Sequence, residues 1–113
     1  MGISTLDITT NGTLVEQTDT RELSPGILQS AIVSSLTPGL QSGELLARMF
    51  LQRGGTSDAE AVACLIDGYV YLGHAAAWNG GIRVLPGDQL RLVLTSSQVV
   101  RIRGAVSVDQ SGA

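Results

Sequence analysis

The sequence predicts an all-β protein, an antiparallel β-sandwich of jelly-roll-like type carrying an extended amino-terminal arm. Three observations predict it. From Gly26 onward, short apolar runs are punctuated by Gly, Pro, Ser and Asp, giving roughly eight short strands at close spacing. Several of these runs alternate apolar and polar residues with period two, the mark of a half-buried strand. Residues 1–25 differ from the rest, being rich in Thr, free of aromatics and apolar only at isolated positions. At 113 residues the chain suits one sandwich domain, residues 26–113, and is long enough to bury roughly 60–70% of its unfolded surface.

Taken in order, the arm alternates over Ile3 to Ile8, which favours an extended backbone, and Asn11-Gly12 is a turn signal able to fold it into a hairpin. A disordered tail has the same composition. An arm of this kind orders on a partner chain, through Ile3, Leu6, Ile8, Leu14 and Val15. Ile27 to Ser34 is the first run of the sandwich, closed by Thr37-Pro38-Gly39. The stretch GELLARMFLQRGG places Leu45, Ala47, Met49 and Leu51 on one side of a strand, the favoured reading, although Leu45, Leu46, Met49, Phe50 and Arg53 also fall at helical spacing.

Between Glu60 and Leu72, two apolar runs flank Asp67-Gly68, the pair that a two-residue type I′ turn prefers. A hairpin there sets Ile66 opposite Tyr69 and Cys64 opposite Tyr71, and leaves both faces apolar. One face then belongs to the core, and the face bearing Ile66, Tyr69, Tyr71 and Cys64 needs a cover from a neighbouring loop or another subunit. Gly80-Gly81 reads as a turn. After it come IRVL, the turn Pro86-Gly87-Asp88, and QLRLVL with Leu90, Leu92 and Leu94 inward. In the last run Val100, Ile102, Val106 and Val108 alternate with Arg101, Arg103, Ala105 and Ser107, and Gly104 marks a bulge.

Composition excludes several functions. Seven arginines and no lysine stand against ten acidic residues, for a formal charge of −3, which argues against a nucleic-acid partner. No apolar run approaches a membrane span and the first residues lack a signal-peptide pattern, so the protein is expected to be made in the cytoplasm. One cysteine, Cys64, cannot form an internal disulfide, and one histidine with scattered carboxylates offers no set at metal-ligand spacing. No cofactor is implied, since neither a phosphate-binding loop nor a dinucleotide fingerprint occurs. His74 as a general base lacks a recognisable nucleophile, and the reading is non-enzymatic. Trp78, set among small residues in AAAWNGG, must pack elsewhere: as a cap on the sandwich, at a subunit interface, or as a sugar-stacking platform.

With its Thr-rich arm, GELLARMFLQRGG, DGYVYLG, the PGDQLRLVL turn and strand, and an Arg-alternating last strand, the chain resembles the small jelly-roll decoration, or cement, proteins of tailed bacteriophage capsids. The resemblance covers residues 26–109. It implies a homotrimer seated on the outer capsid surface at three-fold positions, bound to the major capsid protein and strengthening the head. It further implies that the arm latches onto the shell or a neighbouring trimer, and that Ile66, Tyr69, Tyr71 and Trp78 supply subunit contacts. The alternative is a carbohydrate- or receptor-binding module of a phage fibre or adhesin, with Trp78 and Asn79 as its platform. A hydrolase using His74 is a third reading.

Overall fold

Alternation of apolar and polar residues is carried through into strands almost everywhere it occurs. The computed structural model describes residues 2–37, 44–53, 61–71 and 75–110. Among these, the elements are β1 (Gly2–Thr9), β2 (Gln17–Glu22), β3 (Gly26–Ser35), β4 (Leu45–Gln52), β5 (Ala61–Tyr69), β6 (Ala76–Val84), β7 (Gln89–Ser96) and β8 (Arg101–Asp109). They form two four-stranded sheets, ordered β1-β8-β3-β6 and β2-β7-β4-β5, with every pairing antiparallel. Chain neighbours lie in opposite sheets except β4 and β5, which pair with each other, so the strands interleave as in a jelly roll.

The stretch that also showed helical spacing is a strand. Leu45, Ala47, Met49 and Leu51 are fully buried, and β4 lies between β7 and β5, where period-two burial suits the sheet and a helical face has no place. Leu90, Leu92 and Leu94 of β7 point inward and are fully buried as well. From the other sheet, Leu6, Leu28, Val33, Ile102, Val106 and Val108 close the core against them.

Residues 2–22 are not an arm. They are extended, as the alternation requires, but they form β1 and β2, which lie on this chain's own sheets: β1 pairs with β8 and β2 with β7. Leu6 and Leu23 are core residues, and their burial acts together with the ladders to β8 and β7 to offset the ordering of the polar residues between them. Nor does Asn11-Gly12 close a hairpin, since the strands on either side belong to different sheets. The turn, with Gly12 at φ 77°, carries the chain across the end of the sandwich instead. Thr10 secures it, donating to the Gln98 carbonyl at 2.6 Å and accepting from the Val100 N–H at 2.9 Å.

The Asp67-Gly68 hairpin is also overturned. Strand β5 runs through both residues, with Asp67 opposite Arg48 and Gly68 opposite Ala47 on β4. A type I′ turn needs positive φ at both central residues, and neither has it. Tertiary pairing with β4 overrides the local turn preference. Likewise Gly80-Gly81 is not a turn between strands. Both residues sit within β6, where they bulge opposite Gln29. Gly104 marks no bulge, because its pairing with Leu6 and Val33 is regular. It faces inward for space: a methyl group there would lie 3.1 Å from Met49 Cε and 3.3 Å from Leu92 Cδ2.

Candidate interaction surfaces

The residues singled out from sequence separate into inward and outward sets. On β5, register with β4 turns Ile66 inward opposite Met49 and turns Tyr69 and Cys64 outward, opposite Leu46 and Phe50. Ile66 is buried and Tyr71 packs against the core, so the expected face of Ile66, Tyr69, Tyr71 and Cys64 does not exist as one surface. Tyr69, 51% exposed, is the member of the set that presents a large side chain to solvent. Trp78 faces inward from the edge strand β6, opposite Ala31, and packs against the core. Its ring lies over Gly80, where an added methyl would come within 2.7 Å of it. Trp78 therefore caps the edge of the sandwich from within. His74 lies outside the described residues.

The former arm candidates divide in the same way. Leu6 is fully buried and Ile8 packs on the core, whereas Ile3 is 74% exposed, Leu14 64% and Val15 63%. Leu14 and Val15 do not stand alone. The Leu14 N–H donates to the Ser96 carbonyl at 3.1 Å, and Gly12 lies against the main chain of Ser97, Gln98 and Val99, so the β1–β2 and β7–β8 connections sit side by side. Val99, 66% exposed, joins Leu14 and Val15 there. At the same end the Leu36 N–H donates to the Arg101 carbonyl, and Leu36 too is exposed. Leu14 holds φ at 60°, which no other non-glycine residue among those described shares as a positive value. This end is thus an apolar tip on hydrogen-bonded loops, one of them in a costly backbone conformation. Sequence reasoning missed Val99 and Leu36 because single exposed apolar residues at strand ends carry no periodic signal.

Charge is used structurally. Asp88 is buried in the turn before β7, where it accepts from Arg53 Nε at 3.0 Å, Arg53 Nη2 at 3.1 Å and the Leu85 N–H at 2.9 Å. Burial pushes the carboxyl up, but the Arg53 bonds and the Leu85 N–H outweigh it, and its pKa lies below the ordinary value. On the outer face of the first sheet, Arg103 donates to Asp7 at 3.0 and 3.3 Å, which likewise holds Asp7 below the usual carboxylate range. Across β4 and β5, Arg48 Nε approaches Asp67 Oδ1 to 3.5 Å.

A pH dependence follows for Asp88. Its folded pKa is depressed, so its stabilising contribution is complete above the unfolded value, about 3.9, and is lost as pH falls through the folded value. In equilibrium unfolding from pH 7 to pH 2, Asp88→Asn is expected to cost about 1–3 kcal/mol at neutral pH. The variant should also show a shallower loss of stability below about pH 4, with the slope contributed by Asp7 retained. An unchanged acid limb would remove Asp88 from this role.

Nothing in these groups resembles a reaction centre. Among the described residues no three His, Cys, Asp or Glu side chains gather in metal-binding range. The Cys64 thiol is exposed, but partial desolvation and the nearby Asp67 carboxylate push its pKa up, the reverse of what an activated nucleophile needs. Between the edge strands β5 and β6 opens a cleft of about 450 Å³ lined by Leu65, Ile66, Asp67, Gly68, Tyr69 and Ala75 to Ala77. Asp67 and Tyr69 are the ionisable groups of that lining, and no acid–base pair is formed.

No protein-family model matches the chain, and no curated protein matches it in sequence. Among solved structures, the Yersinia pseudotuberculosis-derived mitogen aligns over 96% of this chain and 87% of its own, with a TM-score of 0.55 at 14% identity. The two share the β-sandwich. At that identity the likeness concerns the fold alone. A structure of infectious bursal disease virus, Gx strain, aligns over 93% of this chain and 32% of the viral chain at 15% identity. Its TM-score of 0.42 is too low for a topological comparison.

Proposed function

We propose that this chain is a non-enzymatic assembly protein: a decoration protein that sits as a homotrimer on the outer surface of a tailed-phage head, binds the major capsid protein and stabilises the shell. The observation that carries this reading is the apolar tip formed by Leu14, Val15 and Val99, exposed on adjoining loops that are hydrogen-bonded to the sandwich. Clustered exposed apolar side chains mark contact surfaces, and a rigid tip loses little entropy on docking. In this reading the tip meets the coat subunit and Tyr69 contributes to the trimer contact. A sugar platform finds less support, because Trp78 turns its ring toward the core, whereas stacking on a sugar needs an open ring face.

The test is co-sedimentation of the purified protein with empty heads of the virus whose genome encodes it. Wild type is expected to pellet with the heads. A Val15→Asp/Val99→Asp variant should bind at least about tenfold more weakly, since buried charge is heavily penalised, while retaining its unfolding midpoint. Equal binding by the variant would dismiss the tip as the docking surface, and no binding by wild type would dismiss the decoration role.

A further inference from the structure

We propose that β1 is an open sheet edge that pairs antiparallel with β1 of a second copy of this chain, about a two-fold axis passing through Leu6. The phase of the ladder exposes the necessary groups. The Thr10 N–H donates to the Val100 carbonyl at 2.9 Å, and across β8 the Leu36 N–H donates to the Arg101 carbonyl at 2.8 Å. Given the β1–β8 register and the alternation of an antiparallel ladder, Gly2, Ser4, Leu6 and Ile8 aim their main-chain groups at β8. Those of Ile3, Thr5, Asp7 and Thr9 point away from it, along the outer edge of the sheet.

An unpaired edge recruits another strand unless something blocks it, and the other three edges are each blocked. Strand β5 carries two register irregularities against β4, and β6 bulges at Gly80-Gly81. Strand β2 is six residues long and carries Asp19, Arg21 and Glu22. By contrast β1 pairs regularly over all eight residues. It contains no Pro and no Lys, and its one charge, Asp7, is held by Arg103 within the sheet.

The sequence of β1 also selects the copy and the register. Residues facing each other across a pair of strands share a face, so self-pairing centres on one residue. Centring on Thr5 sets exposed Ile3 against Asp7 and uses three pairs of outward-aimed residues. Centring on Leu6 sets Ile3 against Thr9 and Thr5 against Asp7, brings the two Leu6 side chains together on the core side, and keeps the two Asp7 carboxylates out of direct opposition. Four such pairs then exchange about two main-chain hydrogen bonds each. This surface is distinct from the apolar tip and does not depend on the decoration reading.

The test measures solution mass over a concentration series up to about 100 µM, a range that reaches weak association, for wild type, Thr5→Pro and Thr5→Lys. Proline at Thr5 removes an edge-facing N–H while leaving the β1–β8 bonds intact, which an edge strand tolerates. Both substitutions are expected to halve the limiting mass and weaken association by about tenfold or more, with unfolding midpoints near that of wild type. Should Thr5→Pro fail to fold, Thr5→Lys decides. If the sandwich also forms a trimer through another surface, the halving takes six chains to three; if not, it takes two to one, so failure of the trimer and failure of the β1 contact are separable. Amide exchange supplies the second readout: protection of Ile3, Thr5 and Asp7 should rise with protein concentration, while that of Ser4, Leu6 and Ile8 is already high. A wild-type monomer throughout, or association unaltered by both variants, overturns the proposal.

Discussion

Truncating Leu6 to alanine is expected to lower the unfolding free energy by about 3 kcal/mol, within the range for removing a fully buried leucine. The side chain is 0% exposed, on an edge strand opposite Gly104 of β8. Because Gly104 has no side chain to move into the space, little relaxation is available and the cavity left behind adds to the lost transfer free energy. Urea unfolding monitored by Trp78 fluorescence and by circular dichroism measures it, as a lower midpoint at unchanged slope. Were residues 2–9 a detachable arm, the same substitution would leave the isolated protein's stability within about 0.5 kcal/mol of wild type.

Replacing Gly26 by alanine is expected to be at least as damaging. At the start of β3, Gly26 has φ of 156°, and an added methyl would lie 2.4 Å from the Asp109 carbonyl oxygen, 3.1 Å from its carbon and 3.0 Å from Val108 Cγ1. The first two atoms are main chain, so no rotamer change relieves the contact, and β3 must draw away from β8 along their shared ladder. A loss of about 3 kcal/mol or more is expected, seen as a lower urea midpoint. Gly80→Ala is the informative control, because what its methyl would meet is the Trp78 ring, a side chain at the sheet edge that can shift. A Gly26→Ala variant as stable as Gly80→Ala would contradict the assigned contact.

Much of the sandwich was legible from local pattern. Where one face of a strand is buried and the other open to solvent, as in Arg101 to Val108, period two appears directly in the residues. The failures share a different physics. Asp67-Gly68 has strong turn chemistry, yet β4 supplies Ala47 and Arg48 as partners, and pairing at long sequence separation is invisible to a local rule. Gly12, Gly80-Gly81 and Gly104 show three uses of one residue type that sequence cannot tell apart: a turn, a bulge, and space beneath Met49 and Leu92. The composition of β1 and β2 marks an extended chain, but not a part of the sandwich. Their Thr-rich composition reflects edge positions with one solvated side, and Leu6, Ile8 and, just past β2, Leu23 mark the buried one.

Of the candidate site residues, those with the largest side chains were the most misleading. Trp78, Ile66 and Tyr71 are drawn toward the core because burying large apolar area stabilises the fold wherever the sandwich has room. Exposure falls instead on Leu14, Val15, Val99 and Ile3, held outward by turns and by sheet register. Nothing in their immediate sequence distinguishes them from core residues.

The central claim, that the chain is built to assemble rather than to catalyse, is tested most directly by the solution mass of the intact wild-type protein, measured by light scattering across a concentration series. The account predicts a mass above that of the 11.8 kDa chain, rising with concentration to a defined limit. A folded monomer at every concentration would contradict it.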